Sequence, residues 1–358
     1  MPSLKEIKGR INSISSTLAI TSAMKMVAAA KLQKAQMAIQ NMLPYERRLH
    51  SMLIDLMGAM NISAAASEDG SVRGSGSAER GFDQSGDRLS LSNRHDLAGM
   101  DGAYSLMAQR EVRKVAIVAF ASNSSLCGAF NSNAIREATA VINEYRASGL
   151  RDSDIVVYSV GRKMAEAMKK LGFPSPADFT KMSDSPSYDA ASALAQELFD
   201  GFVSGRFDKV ELVYNHYKST SSQPTTRQTY LPLSLADATA DLQAGKITDP
   251  ASETDTNRVA EPVGAPVVRQ GSPTTEDLIV EPSKEALIAT LLPKVIRLRI
   301  FTTLLDSAAA EQAARTVAMQ LATDNGNDLL QELTLEYNKG RQQKITSEIL
   351  DLVGGSMQ

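Results

Sequence analysis

The stretch ITSAMKMVAAAKLQKAQ, Ile20–Gln36, holds five alanines, two methionines and three lysines, with no glycine, proline or acidic side chain. Its composition favours helix strongly. A helix so basic and so rich in small residues is unusual, and the pattern around it explains what it is for. Ile7, Ile11, Ile14 and Leu18 lie at alternating steps of four and three. So do Ala28, Leu32, Ala35, Ile39 and Met42, and again Leu49, Leu53, Leu56 and Met60. This is heptad spacing, read here as a coiled-coil strand whose seam shifts between the three blocks. Ser3 and Glu6 form a capping box at its start, and Pro44 is expected to kink it. At 1.5 Å per residue, about 58 residues make roughly 85 Å of helix. One small domain cannot cover that length.

The other end of the chain is similar. From Ser283 to about Val353 the pattern is helical, with Leu330, Leu333 and Tyr337, then Ile345, Ile349 and Leu352, at three–four spacing. Pro293, Gly326 and Gly340 are its weak points. Neither end helix is stable alone in water over such a length. Winding them on each other, antiparallel, solves the problem for both.

Between them the pattern changes. VRKVAIVAF (112–120) and DIVVYSV (154–160) read as buried strands, KVELVYNHYKS (209–219) as a third and TTRQTYLPL (225–233) as a fourth. Helices are expected at 131–148, after residue 160 and at 189–204. Strands alternating with helices imply βαβ units and a mostly parallel sheet in a Rossmann-like α/β domain. The expected organisation is an N-terminal coiled-coil helix (1–60), a polar Gly/Ser/Asp-rich insertion expected to be mostly disordered (61–110), the α/β domain (111–236), an acidic polar linker (237–281) and a C-terminal coiled-coil helix (282–358).

Charge follows this division. The net charge of −3 is uninformative, but residues 1–60 are basic and 237–281 acidic, so the segments have different duties. Cys127 is the only cysteine, which excludes an intrachain disulfide. No apolar run of about 18 residues is present to span a membrane, and Lys5, Lys8 and Arg10 lead into amphipathic sequence rather than into a signal peptide's apolar core.

Chemistry is scarce. GxxxxGK[ST], HExxH, GxSxG and CxxC are all absent. His50, His95 and His216 are not spaced as metal ligands. One segment looks like a site: SNSSLCGAFNSN (122–133), at a strand-to-helix turn where open α/β sheets bind ligands. A thiolate at Cys127 would give a Cys-dependent enzyme, but no partner histidine or acid is identifiable. The plainer reading is a small buried thiol, with Asn131 or Ser132 capping the next helix. A coiled-coil adaptor binding nucleic acid through its basic helix is a second alternative, opposed by a pI of about 5.8 and by the lack of interleaved aromatics.

Three blocks of sequence resemble the gamma subunit of F-type ATP synthases. They are LKEIKGRINSISSTLAITSAMKMVAAAKLQKAQ (Leu4–Gln36), SLCGAFN (Ser125–Asn131) and the whole C-terminal helix, including EQAARTVAM (Glu311–Met319) and NKGRQQKITSEI (Asn338–Ile349). The resemblance covers about 1–60, 110–235 and 278–355. It implies a central rotor shaft with no catalytic residue and no cofactor or metal of its own, a non-catalytic subunit of a proton-transporting enzyme. The implied partners are three alpha and three beta subunits, an epsilon subunit and the c-ring, with no nucleic acid and no small-molecule substrate. The implied location is peripheral, on the cytoplasmic side of a bacterial inner membrane. Matched position by position, rotor–stator contacts are expected at Met24, Lys25, Arg315, Arg341, Gln342, Thr346 and Glu348. The chain departs from the family where SNSSLCG replaces SDRGLCG, placing Asn123, Ser124 and Ser125 at the usual Asp, Arg and Gly, and at Gln312, where His is usual.

Overall fold

The computed structural model describes residues 3–68, 106, 110–233 and 284–355. His95 and most of the stretches 61–110 and 237–281 lie outside the described residues. Two helices dominate: α1, Leu4–Glu68, and α6, Lys284–Gly355. Between them run β1 (Val115–Phe120), α2 (Phe130–Ala147), β2 (Ile155–Val160), α3 (Arg162–Lys170), α4 (Thr180–Asp184), α5 (Tyr188–Val203), β3 (Lys209–Asn215) and β4 (Thr225–Leu231).

The sheet order is β2-β1-β3-β4. β1 pairs in parallel with both β2 and β3, while β4 joins antiparallel at the edge. β1 is buried along its whole length, as its uninterrupted apolar sequence requires. One face of the sheet is covered by α2 and α3, through Ala138, Val141, Ile142, Met164 and Met168. The other face is covered by α5 and by the coiled coil itself, with Leu49, Leu53 and Leu56 of α1 and Leu292, Ile296 and Ile300 of α6 in one core with Phe120, Tyr158 and Leu212. The foot of the coiled coil is thus the third layer of the α/β domain.

Helix α1 starts as the capping box requires, with Ser3 Oγ accepting from the Glu6 amide at 3.3 Å. Pro44 and Pro293 both stay inside continuous helix. The expected shift of the seam is not found. Among the described side chains of α1 the buried apolar positions are Ile7, Ala28, Leu32, Leu49, Leu53 and Leu56, and all of them fit one unbroken heptad register. What interrupts the apolar stripe between Leu18 and Leu32 is polar substitution on the same seam, at Thr21 and Lys25. Thr323 donates across to Thr21 at 3.1 Å, so the polar step is matched on both helices.

The glycines of α6 are points of close approach rather than weak points. A Cβ on Gly326 would lie 2.7 Å from Leu18 Cδ2, and one on Gly340 would lie 3.2 Å from Leu4 Cδ2. Leu4 opposite Gly340 marks the end of the paired coil. Among the described residues α6 continues beyond it as a single helix, and residues 341–350 are all exposed.

Candidate functional site

Strand order reverses at β1, since the chain leaves it for β2 on one side and returns to β3 on the other. In an open α/β sheet the crevice at the carboxyl ends of such strands is where ligands bind. Here it is filled from within, by α6. Arg315 of α6 is only 7% exposed. Its guanidinium donates to Ser125 O at 2.6 Å and to Ser124 Oγ at 2.8 Å, and it pairs with Glu311 one turn earlier at 2.7 Å. Burial pushes the Glu311 carboxyl above the usual carboxylate range, and Arg315 opposes the shift.

The loop that receives Arg315 is held by its own polar side chains. Ser122 Oγ donates to Ser124 O at 2.6 Å, and Asn131 Oδ1 accepts from the Ser122 amide at 2.9 Å. Asn131 therefore organises the loop instead of capping α2, whose N-cap position is Ala129 with no side-chain cap. Leu126 adopts φ 68°, a left-handed conformation that costs a non-glycine residue strain, and it is 60% exposed. Asn123 accepts from the Arg162 amide at 2.7 Å and donates to Thr180 O at 2.7 Å. An aspartate there could accept but not donate, so the neutral residue joins α3 to α4 in a way the usual acid would not. Gly161 (φ 97°) is required just before α3, because a Cβ would stand 2.0 Å from Ala121 O.

A second contact lies beside the first. Asp306 of α6 is 2.7 Å from His216 Nδ1 and accepts from the Tyr217 amide at 2.9 Å. Tyr217 in turn accepts from Gln36 of α1 at 2.7 Å. Cys127, 1% exposed, packs with Phe130 on Ala310 of α6, which is a packing role. Loop 122–128 and residues 216–217 together grip the coiled coil like a socket.

The sequence-predicted contact residues fall in three places. Arg341, Gln342, Thr346 and Glu348 are exposed on the single-helix tip, where Glu348 lies 3.7 Å from Lys344 on the same helix. Met24 and Lys25 are half-buried, Lys25 on the coil seam itself. The outward-facing apolar side chains nearby are Ile20, Met26 and Val27. Arg315 belongs to the socket. The tip also exposes Ile345, Ile349, Leu350, Leu352 and Val353. Among the described residues no cluster of His, Cys, Asp and Glu is placed to hold a metal ion, and no helix is long and apolar enough to cross a membrane.

A family model described as ATP synthase matches residues 3–357. The ATP synthase gamma chain of Phocaeicola vulgatus is 47% identical over 357 residues, covering 100% of both chains. That of Bacteroides thetaiotaomicron is 44% identical over 358 residues, again covering 100% of each. Among solved structures, a chain of the rotor of the Euglena gracilis mitochondrial ATP synthase shares the fold with a TM-score of 0.50 at 18% identity, covering 96% of this chain and 98% of that one.

Proposed function

The chain belongs to the ATP synthase gamma family, the central stalk of the rotary F-type enzyme, and on that premise we propose that its coiled coil turns inside a ring of three alpha and three beta subunits. The α/β domain and the foot of the coil sit against an epsilon subunit and the c-ring, peripheral to the cytoplasmic face of a bacterial inner membrane. Proton flow turns the c-ring, and the asymmetric shaft forces the catalytic sites of the beta subunits through different nucleotide affinities.

The observation that carries this reading is the tip of α6. Past Gly340, residues 341–350 are all exposed, and Ile345, Ile349, Leu350 and Leu352 are about half exposed or more. Apolar surface of that extent on one helix needs a protein sleeve. Arg341, Gln342, Thr346 and Glu348 supply the polar contacts to that sleeve, and Arg341's planar fork suits the carboxylates of beta subunits. Nearer the socket, Ile20, Met26 and Val27 present apolar side chains without fixed hydrogen-bonding partners, which suits sliding past successive subunits. Met24 and Lys25 contribute at the edge of this strip. For Arg315 the geometry favours a different duty.

Co-expression with the alpha and beta subunits, followed by affinity purification and intact-mass measurement, tests the proposal. One copy of this chain per three of each is expected. A chain that stays monomeric and ignores both subunits would refute it.

A further inference from the structure

The rotor reading leaves one question of mechanics. Torque that enters through the α/β domain must reach the coiled coil, and helix packing alone allows one layer to slip over another. The socket supplies what packing lacks. Arg315 is the one side chain of α6 that hydrogen-bonds loop 122–128 directly among the described contacts, and it does so with both arms of its fork while Glu311 neutralises it. Both groups are at least nine-tenths buried, where charge-assisted bonds are strong and an unpaired charge is costly. The receiving loop cannot drift, because Ser122, Asn131 and Asn123 tie it to β1, α2, α3 and α4. His216, Tyr217 and Asp306 repeat the arrangement about two turns further down α6, and Gln36 extends it to α1. Each latch joins the coil at the carboxyl end of a strand, the first after β1 and the second after β3.

We propose that the Arg315–Glu311 pair is a positioning device that clasps loop 122–128 onto α6 throughout the rotary cycle, so that coiled coil and α/β domain turn as one body and torque crosses between them at this crevice. The proposal rests on the rotor reading. It assigns the crevice that would otherwise take a ligand to a mechanical joint, and it gives Ser124 and Ser125 a role as the acceptors of the clasp.

Two experiments on the assembled enzyme in membrane vesicles test it. In the first, Arg315→Ala is compared with the wild type for the amount of assembled complex, for ATP hydrolysis and for protons pumped per ATP hydrolysed. Losing charge-assisted bonds shifts a closed–open equilibrium by about tenfold or more, so pumping per ATP is expected to fall by about half or more while hydrolysis persists. A fall in assembly with unchanged pumping per ATP would mean that Arg315 only aids folding, and would overturn the proposal. The second experiment leaves Arg315 in place. A Cβ at Gly128 would lie 3.9 Å from Ala318 Cβ, within disulfide range. Gly128→Cys with Ala318→Cys, in a Cys127→Ala background, therefore allows the loop to be locked to α6 by oxidation. The locked enzyme is expected to synthesise ATP as fast as its reduced form. Inhibition on oxidation, reversed by reductant, would show that the joint must open during the cycle and would overturn the clasp. Neither result depends on subunit stoichiometry, so a failure here is distinct from a failure to associate with alpha and beta subunits.

Discussion

Glu211 is 1% exposed within the sheet, yet it stays ionised because three donors converge on it. Tyr145 Oη donates at 2.6 Å, Lys209 Nζ lies at 2.6 Å, and Arg227 reaches both oxygens at 2.7 and 3.1 Å. Burial alone would raise the carboxyl, but the hydrogen bonds from Arg227, Lys209 and Tyr145 outweigh it and hold Glu211 below its ordinary 4.5. A depressed carboxyl contributes stability that is complete above its unfolded value and is lost as pH falls through the folded one. Hydrogen exchange of the β3 and β4 amides should therefore accelerate as pH drops below about 4.5, relative to Glu211→Gln, whose exchange should be faster at neutral pH and flatter with acid. Leaving Arg227 and Lys209 facing a neutral amide costs about 3 kcal/mol. An unchanged acid limb in the variant would mean that another carboxyl governs it. At the tip, Arg341→Ala should lower coupled ATP synthesis in part, a charge-assisted contact contributing about 1.5–3 kcal/mol. Lys339→Ala, two residues away on another face of the helix, should be nearly silent. Equal, normal proton pumping in both would remove Arg341 from the contact surface.

At the scale of elements, the coiled coil is decided by how closely its two helices approach. Gly326→Val would drive a branched side chain into Leu18, and overpacking of this kind costs about 1–3 kcal/mol. Gly340→Ala should behave differently. Leu4 is at the end of α1 and can give way, while replacing a mid-helix glycine by alanine gains up to about 1 kcal/mol. Thermal unfolding followed by the helical circular dichroism band should thus fall for the first variant and hold or rise for the second. Both helices were legible in the sequence because each carries a seven-residue period, and the strands because apolar or β-branched and aromatic residues dominate them between turn residues. The single heptad register was harder to see, since Thr21 and Lys25 stand on the seam where apolar residues were sought and mimic a shift. Short α4 carries no such period and was missed. The socket was hidden for another reason. Glu311 and Arg315 are visibly a turn apart, but their partners Ser124 and Ser125 are far away in sequence, as is Asp306 from His216. The SLCG turn marked the right loop, while its chemistry came from a helix that the local pattern could not point to.

At the scale of the whole molecule, the chain divides into a body that is complete in itself and a tip that is not. Down to Leu4 and Gly340, α1 and α6 cover each other, and lower down the α/β domain joins them in shared cores. Above that level, among the described residues, α6 stands alone for about four turns, roughly 22 Å at the rise of an α-helix. An isolated helix of this length is marginal in water, and its isoleucines and leucines are exposed. Folding of the body and engagement of the tip are therefore separable. Deleting residues 341–358 should leave the thermal midpoint of the body within a few degrees of the full chain, because residues 341–350 are all exposed and bury no apolar surface against α1. Coupled ATP synthesis in vesicles should fall, because the deletion removes the apolar face together with Arg341, Gln342, Thr346 and Glu348. If the midpoint drops sharply, the tip is part of the coil's own stability. If synthesis is untouched, the sleeve grips the shaft lower down, at Ile20, Met26 and Val27, and the polar contacts of the tip carry no torque.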